Sequence, residues 1–561
     1  MNLKNQKGIN MITLSIAVII LVIITSVLVY NAKDSVKVKT LKNLYNDIEQ
    51  LNNKVSAYYL EHGDIPKSAK YENLFLSTAE SNQVNPNNGD DFYVINLKAL
   101  EGVSLNYGRD FNSVSSTDST VVALNDIYII NDVSHQIYYP RGIEVEGKTY
   151  YTEPDEWTSV NLSVIPIYNA EQLAKIGSNE TIKINQTGNE YKFTMDSIYI
   201  LQNDIDLGEF LHRNDNDATN DVSWTPIGTN SNQFTGTFYG NGNIINNFYI
   251  NSNNDYLGLF GCVGNNGSVK DINVRGSIIT TGSYIGGVVG LLASNGEISD
   301  CINNVIIEQN YSKTTGCYVG GIMGSGAGKI SNCKNNAKIT STSTSNRNEV
   351  GGIAGSLNTG GSIEKCYNTG EINGISNHTY ADVGGICGLS ASSISMSYNS
   401  GKIYGDSTNS PLEGGIVGVA NGTSCIIKNC YNNGTVSSNK SGAWLCGIGG
   451  DFFNGGSCEN CFSIGNNILS NTDIKGKAIG TIAGTTSGTI KNCYGLDSNY
   501  NSISLNDSAG SVQNSGLKTS EEMKLQTFVD LLNSNQGTDL PWVMDTIGEN
   551  EGFPILNWQK D

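Results

Sequence analysis

The chain has 561 residues, more than one hydrophobic core normally serves, so two or more structural units are expected. Its 64 Gly, 9 Pro and 16% charged residues exclude both a Pro-rich disordered chain and a highly charged one. A formal charge of −19 leaves no basic excess to neutralise phosphates, which sets nucleic acid aside as a partner.

Met1 to Gly8 is short and basic, and Met11 to Tyr30 (MITLSIAVIILVIITSVLVY) is an uncharged run of 20 residues, long enough to span a bilayer. A cleaved secretory signal is the competing reading, but no small-x-small site closes the run. Leu41, Leu44, Ile48, Leu51, Val55 and Tyr58 then recur in steps of three and four, one face of a helix that stops at Gly63 ahead of Pro66. Lys7-Gly8 followed directly by the apolar run resembles the leader site of type IV prepilins. The resemblance implies cleavage after Gly8 by a prepilin peptidase, methylation of Ile9 as the new N-terminus, and packing of other pilin-like subunits along the apolar half-helix. The fifth mature position, Glu in most pilins, is Thr13 here. By resemblance, that departure points to a minor or tip subunit, or to a membrane-anchored relative.

From 64 to 160, the segments Phe92 to Leu100, Asp126 to Asp132, His135 to Ile143 and Lys148 to Thr152 alternate aromatic and β-branched residues between turn formers. They predict a small antiparallel sheet, placed where a pilin head packs on its helix.

The second half of the chain repeats. Gly258, Gly286, Gly320, Gly351, Gly384, Gly414, Gly447 and Gly480 register segments 28 to 34 residues apart, each followed by a stretch such as GKISNCKNNAKI. A period of this length signals units that bury their faces only against their neighbours. Apolar residues two or three apart, with no ten-residue helical pattern, predict strands, about three per coil, in a parallel β-solenoid. In such stacking equivalent residues lie over one another. Cys301, Cys333, Cys366, Cys430, Cys461 and Cys493 share one slot, filled by Ser397 in the coil between, and form an inward ladder of free thiols. Asn303, Asn335, Asn368, Asn399 and Asn432 follow two places later, where Asn tolerates left-handed backbone and bonds to the amide above and below. The paired glycines allow tight bends or close backbone approach.

This pattern resembles the GLUG-type repeats of bacterial surface proteins, as do Tyr199 to Phe210, Trp224 to Gly228, Phe234 to Ile250 and Gly552 to Trp558. The resemblance covers about 168 to 561 and implies a fold and a surface location, with no single activity. The expected fold is therefore mainly β: a right-handed parallel β-helix of about eight or more coils, preceded by a long transmembrane and amphipathic helix and a small α+β head. The expected divisions are a leader at 1–8, the helix at 9–63, the head at 64–160, the solenoid's lead-in and N-terminal cap at 161–256, the repeats at 257–513 and a C-terminal cap at 514–561. Asn169 to Ile176 reads as a short capping helix, and Thr519-x-x-Glu522 as a capping box opening a helix with Leu525, Phe528, Val529 and Leu532 on one side and Gly537 after it.

Chemistry is sparse. The four His, at 62, 135, 212 and 378, include no i,i+4 pair, and no His-Glu-x-x-His occurs. Asp300, Glu364, Asp382, Glu413, Asp451 and Glu459 read as non-equivalent slots, against the close pairing that glycan hydrolysis requires. Cys458-Glu-Asn-Cys461 has redox or metal spacing, weighed against Cys461 belonging to the ladder with Cys458 on a neighbouring turn. The acidic run Asn214 to Asp221 lacks the glycine and closing Glu of a helix-loop-helix calcium loop and reads as a solvated insertion. No cofactor or metal is called for. The reading is a non-enzymatic surface protein that displays its solenoid for adhesion or as a spacer, toward a glycan or protein ligand the sequence leaves open. The alternative is a membrane-anchored, glycan-active β-helix.

Overall fold

The computed structural model describes residues 43–71, 84, 91–109, 125–152, 164–213, 220–469, 479–499, 504–506 and 511–560, apart from short gaps within these ranges. The chain divides into two compact units, Met1–Asn161 and Leu162–Asp561. Gly8, Ile9, Thr13 and the apolar run Met11 to Tyr30 lie outside the described residues. Among those described, no helix is long and apolar enough to cross a membrane.

In the first unit, every described residue between 43 and 62 that belongs to the predicted amphipathic segment is helical. The helix ends at Gly63, whose φ of +68° is a left-handed stop suited to glycine and whose N–H donates to the Tyr59 carbonyl at 2.8 Å. Its face Leu44, Ile48, Leu51 and Val55 is buried against Ile95, Tyr128, Ile130, Ile137 and Tyr139. Those partners lie on, or directly beside, the strands of a four-stranded antiparallel sheet ordered Lys67–Lys70, Phe92–Ile95, Ile129–Asn131, Ile137–Tyr138, followed in the chain by a hairpin of Ile143–Val145 and Lys148–Tyr150. The edge strand Lys67–Lys70 (KSAK) carries no apolar alternation and gave no sequence signal. Phe92 to Leu100 is not one strand: it stops at Ile95, and Leu97–Ala99 make a 3-10 turn. Asp47, on the helix and 2% exposed, accepts from the Asn106 and Tyr107 amides at 2.9 and 2.8 Å and from the Tyr128 hydroxyl at 3.0 Å, tying helix, loop and sheet together.

The second unit is a parallel β-solenoid of about nine turns; among the described residues its sheets have twelve, sixteen, nine and seven strands, the sixteen-stranded one forking at the long strand Ile302–Tyr311 into two faces. One coil runs Cys317–Gly320, Met323–Gly326, Lys329–Ser331, Lys334–Asn335 and Ile339–Ser343, and Asn348–Gly351 then pairs in register with Cys317–Gly320. Five short strands per coil replace the three expected from spacing, because two-residue strands such as Lys334–Asn335 are too short to show a period. The interior is laddered: Ile330, Ile363, Ile394 and Ile427 fill one slot, Ile339, Ile372, Ile403 and Val436 another, all fully buried.

The twelve-stranded wall starts at Ile165–Ile167, so the lead-in itself supplies the first rungs. Helix Ala170–Ala174 follows, capped by the Asn169 side chain on the Gln172 amide at 2.9 Å, and buries Leu173. At the other end the Thr519/Glu522 capping box is formed, but the helix it opens spans only Ser520–Met523. A second helix, Gln526–Leu532, buries Phe528, Val529 and Leu532, while Leu525 lies in the break and is 53% exposed. The predicted single apolar face is corrected there. These elements, with Trp542 and Trp558, pack on the side of the last coils, over Tyr398, Tyr431, Phe462 and Tyr494.

Candidate functional site

The predicted cysteine slot is a hydrogen-bonded column. Each thiol donates to the carbonyl two residues back: Cys301 to Ser299 at 3.1 Å, Cys333 to Ser331 at 3.1 Å, Cys366 to Glu364 at 3.3 Å, Cys430 to Lys428 at 3.3 Å, Cys461 to Glu459 at 3.2 Å and Cys493 to Lys491 at 3.2 Å. The Ser397 hydroxyl does the same to Ser395 at 2.7 Å, as its place in the series predicts. The sulfur also accepts from the coil before, as Cys366 Sγ does from the Cys333 amide at 3.4 Å. All twelve cysteines are buried, and none is in a disulfide. Burial lifts the thiols of Cys301, Cys333 and Cys493 well above the usual range, so they act as small polar fillers.

The chain turns just before each thiol. Asp300, Asn332, Lys365, Met396, Asn429, Asn460 and Asn492 all have φ between +51° and +58°. The left-handed position is thus one residue before the cysteine, and the asparagine ladder two residues after it has another task. The Nδ2 of Asn303 donates to Asn335 Oδ1 at 2.7 Å, Asn335 to Asn368 at 2.7 Å, Asn368 to Asn399 at 2.8 Å and Asn399 to Asn432 at 2.8 Å. Each amide also closes its own turn, as Asn368 does with Gly370 O at 2.9 Å and Gly370 N at 3.2 Å.

This ladder explains the second glycine of each pair. A Cβ on Gly352 would lie 2.2 Å from Gly385 O and 2.5 Å from Asn368 Cγ, and one on Gly385 would lie 2.1 Å from Gly415 O and 2.4 Å from Asn399 Cγ. Neither glycine has positive φ, so close approach, not a left-handed bend, demands them. The register also corrects one anchor. Cys446 pairs with Gly414 and Gly480, which places Gly447 in the second-glycine slot.

Outside the glycine corner runs a row that changes chemistry along the rod. Tyr256 stacks on Tyr284 with centroids 4.7 Å apart, the Tyr318 ring lies 4.8 Å from Tyr284 at a tilt of 49°, and the register continues through Glu349, Asp382, Leu412 and Trp444. Glu349 was missed at the sequence level, and with Asp382 it shares one slot; Glu364 and Glu459 share another three coils apart. Of the acids read as non-equivalent, Glu364 and Glu459 therefore correct that reading, because strand register, invisible in spacing that varies by several residues, decides it. Arg347 donates to Asp382 Oδ2 and lies 5.7 Å over the Tyr380 ring. Asp382 Oδ1 and Glu349 Oε2 are buried without a partner. Desolvation, then the neighbouring Asp382, pushes the Glu349 carboxyl upward; desolvation also raises Asp382, partly offset by Arg347. The row thus offers a partly exposed aromatic strip followed by a closed acid pair.

Cys461 lies in the ladder as expected. Cys458 is not on a turn: it pairs in register with Ile427 and Ile490 and points into the core. Cys458, Cys461 and Cys493 bring their sulfurs within 4.8 Å of one another. Most of the loop from Asn214 lies outside the described residues, and its end, Asp221, is paired with Arg213.

No family model matches the chain. A protein named "Putative Gly-rich membrane protein" from Evansella cellulosilytica is 36% identical over 125 residues, 22% of this chain. The match spans only 13% of that relative's length. A crystal structure of a protein described as a "putative immunoglobulin A1 protease" from Bacteroides ovatus aligns with 70% of this chain and 92% of its own, at 20% identity and a TM-score of 0.33.

Proposed function

We propose that the chain is a non-enzymatic cell-surface protein, a minor or tip pilin-like subunit, held in the cytoplasmic membrane or a pilus by its N-terminal helix and displaying the solenoid outside for adhesion or as a spacer. The observation that carries this reading is the uninterrupted twelve-stranded wall, a rod of roughly 50 Å at the usual ~4.8 Å strand spacing. The Gly-rich membrane protein relative supports a membrane setting. The strip Tyr256, Tyr284 and Tyr318 is the surface suited to stack on flat apolar faces such as those of sugar rings. Gly8→Asp should abolish leader removal, read as the intact mass of the purified chain, and should abolish co-purification with filaments. A chain retained in membranes unprocessed in both forms would leave an anchored stalk and end the pilin reading. On a glycan and surface-protein array, a ligand held by the native chain and lost with Tyr284→Ser and Tyr318→Ser supports adhesion through the strip.

The buried acid pair favours one second reading, a glycan-active β-helix, because two carboxyls held upward on adjacent coils resemble an acid-base pair. Asp382 is wholly enclosed and salt-bridged, which disfavours attack on a polymer. A degradation screen that yields products with the native chain and none with Asp382→Asn would reverse the preference.

A further inference from the structure

We propose that Cys458, Cys461 and Cys493 form a three-coordinate site for a soft, thiophilic metal ion, with monovalent copper the ion whose chemistry they fit. The slot occupied by Cys458 is Ile in neighbouring coils: Ile330, Ile363, Ile394, Ile427 and Ile490 all stand there. The ladder alone makes a straight column, in which a thiol has neighbours only above and below. The exchange of Ile for Cys at 458 adds a sulfur beside the column and turns a line into a triangle.

The triangle has coordination dimensions. Cys493 Sγ and Cys458 Sγ are 3.5 Å apart, and all three sulfurs lie within 4.8 Å of one another. Three thiolates at bond lengths of about 2.3 Å around one ion stand roughly 4 Å apart. Among the described residues no fourth His, Cys, Asp or Glu joins the group. Zinc would ask for that fourth ligand, whereas a soft ion of low charge accepts three sulfurs. All three cysteines are fully buried. Among the described residues the Cys493 coil is followed by one further layer of pairing, Ser511–Gln513 and Gly516–Lys518, which places the trio near the last rungs of the column.

Binding moves no electrons. Each copper–sulfur bond forms as a thiol proton leaves for solvent, so affinity rises with pH. The thiol protons now engage carbonyls, including Glu459 O and Lys491 O at 3.2 Å, and these lose their donors when the ion enters.

The test uses the full chain in detergent, reduced and kept anaerobic, with copper(I) titrated against a chromophoric chelator. Two variants follow from the protein's own coils: Cys458→Ile, the residue of that slot elsewhere, and Cys461→Ser, the substitution present at Ser397. Both should fold, checked by far-ultraviolet circular dichroism and thermal unfolding. One ion bound by the native chain, with X-ray absorption reporting sulfur neighbours alone, and affinity at least tenfold weaker in both variants, supports the site; even outer-shell changes typically cost ~10–100-fold. Equal binding by the native chain and Cys458→Ile, or no binding by the native chain, overturns it. So does a native mass lower by two hydrogens with the Cys458 and Cys493 peptides linked, which would make the pair a disulfide.

Discussion

Gly352 shows how tightly a single position is bound to its surroundings. Its missing side chain leaves room for both the Gly385 carbonyl and the Asn368 amide. Gly352→Ala should therefore prevent folding or cost upward of about 3 kcal/mol, as overpacking of backbone against backbone does at its upper end. Gly516→Ala, where nothing lies within 4 Å, should change thermal stability little. Glu413 is the opposite case, a residue the fold tolerates at a cost. It stands in register with Val383 and Leu445, fully buried, and neither carboxylate oxygen has a partner. The Ser438 hydroxyl donates to Gly405 O at 2.7 Å instead. Gly405 makes the space, since a Cβ there would lie 2.2 Å from Glu413 Oε1. Burial holds the Glu413 carboxyl well above the usual range. Glu413→Val should stabilise the solenoid by about 1–3 kcal/mol at neutral pH, the cost of leaving a buried polar group unsatisfied, seen as a higher midpoint in urea.

The asparagine ladder works as an element because each amide both donates along the rod and closes its own turn. Asn368→Asp keeps the shape but removes the Nδ2 donor, leaving Asn399 Oδ1 and Gly370 O short of a partner around a buried charge. A loss of several kcal/mol is expected, at ~1–3 kcal/mol per buried unsatisfied group, and thermal unfolding of Asn368→Asp beside the native chain measures it. The tyrosines after the cysteines form a second column. Tyr398 stacks on Tyr367 and Tyr431 at 4.8 Å, interplanar angles 12° and 3°. Trp558 covers Tyr367 and Tyr398 at 6.0 Å and donates to Met396 O at 3.0 Å, which anchors the C-terminal segment across the coils. Trp558→Ala should release that segment, read as faster proteolysis near 533–560 with the solenoid intact.

At the scale of the molecule, acids in opposite environments give opposite responses to pH. Glu349, Asp382 and Glu413 all titrate above their ordinary range in the fold. The native chain therefore keeps protons that the unfolded chain releases above about pH 4, and solenoid stability falls as pH rises from there. Asp545 behaves in reverse. Desolvation opposes its ionisation, but amides of Asn550, Gly552, Gly548 and Glu549, at 2.7 to 3.1 Å, hold it below its ordinary value. Its contribution is present above the ordinary aspartate value and is lost as pH falls through the lowered one. Thermal midpoints should be higher near about pH 5 than about pH 8, with the slope reduced in Glu413→Val. A midpoint rising with pH across that interval would contradict the buried placement of all three acids.

The sequence alone determined the solenoid, its cysteine and asparagine columns, the helix stop at Gly63 and the capping box at Thr519, since each follows from a repeated residue type or a local backbone rule. The prepilin-like residues Gly8, Ile9 and Thr13 lie outside the described residues and rest on the sequence alone. Register was decided by tertiary structure: that Glu349 lies on Asp382, that Gly447 is a second glycine, and that Cys458 joins two ladder thiols. Local spacing varies by several residues between coils, while hydrogen bonds between strands fix which residue meets which. The C-terminal segment's seat on the tyrosine column was likewise settled only by packing, because Trp558 and Gln559 meet Met396 and Tyr431 more than a hundred residues away along the chain.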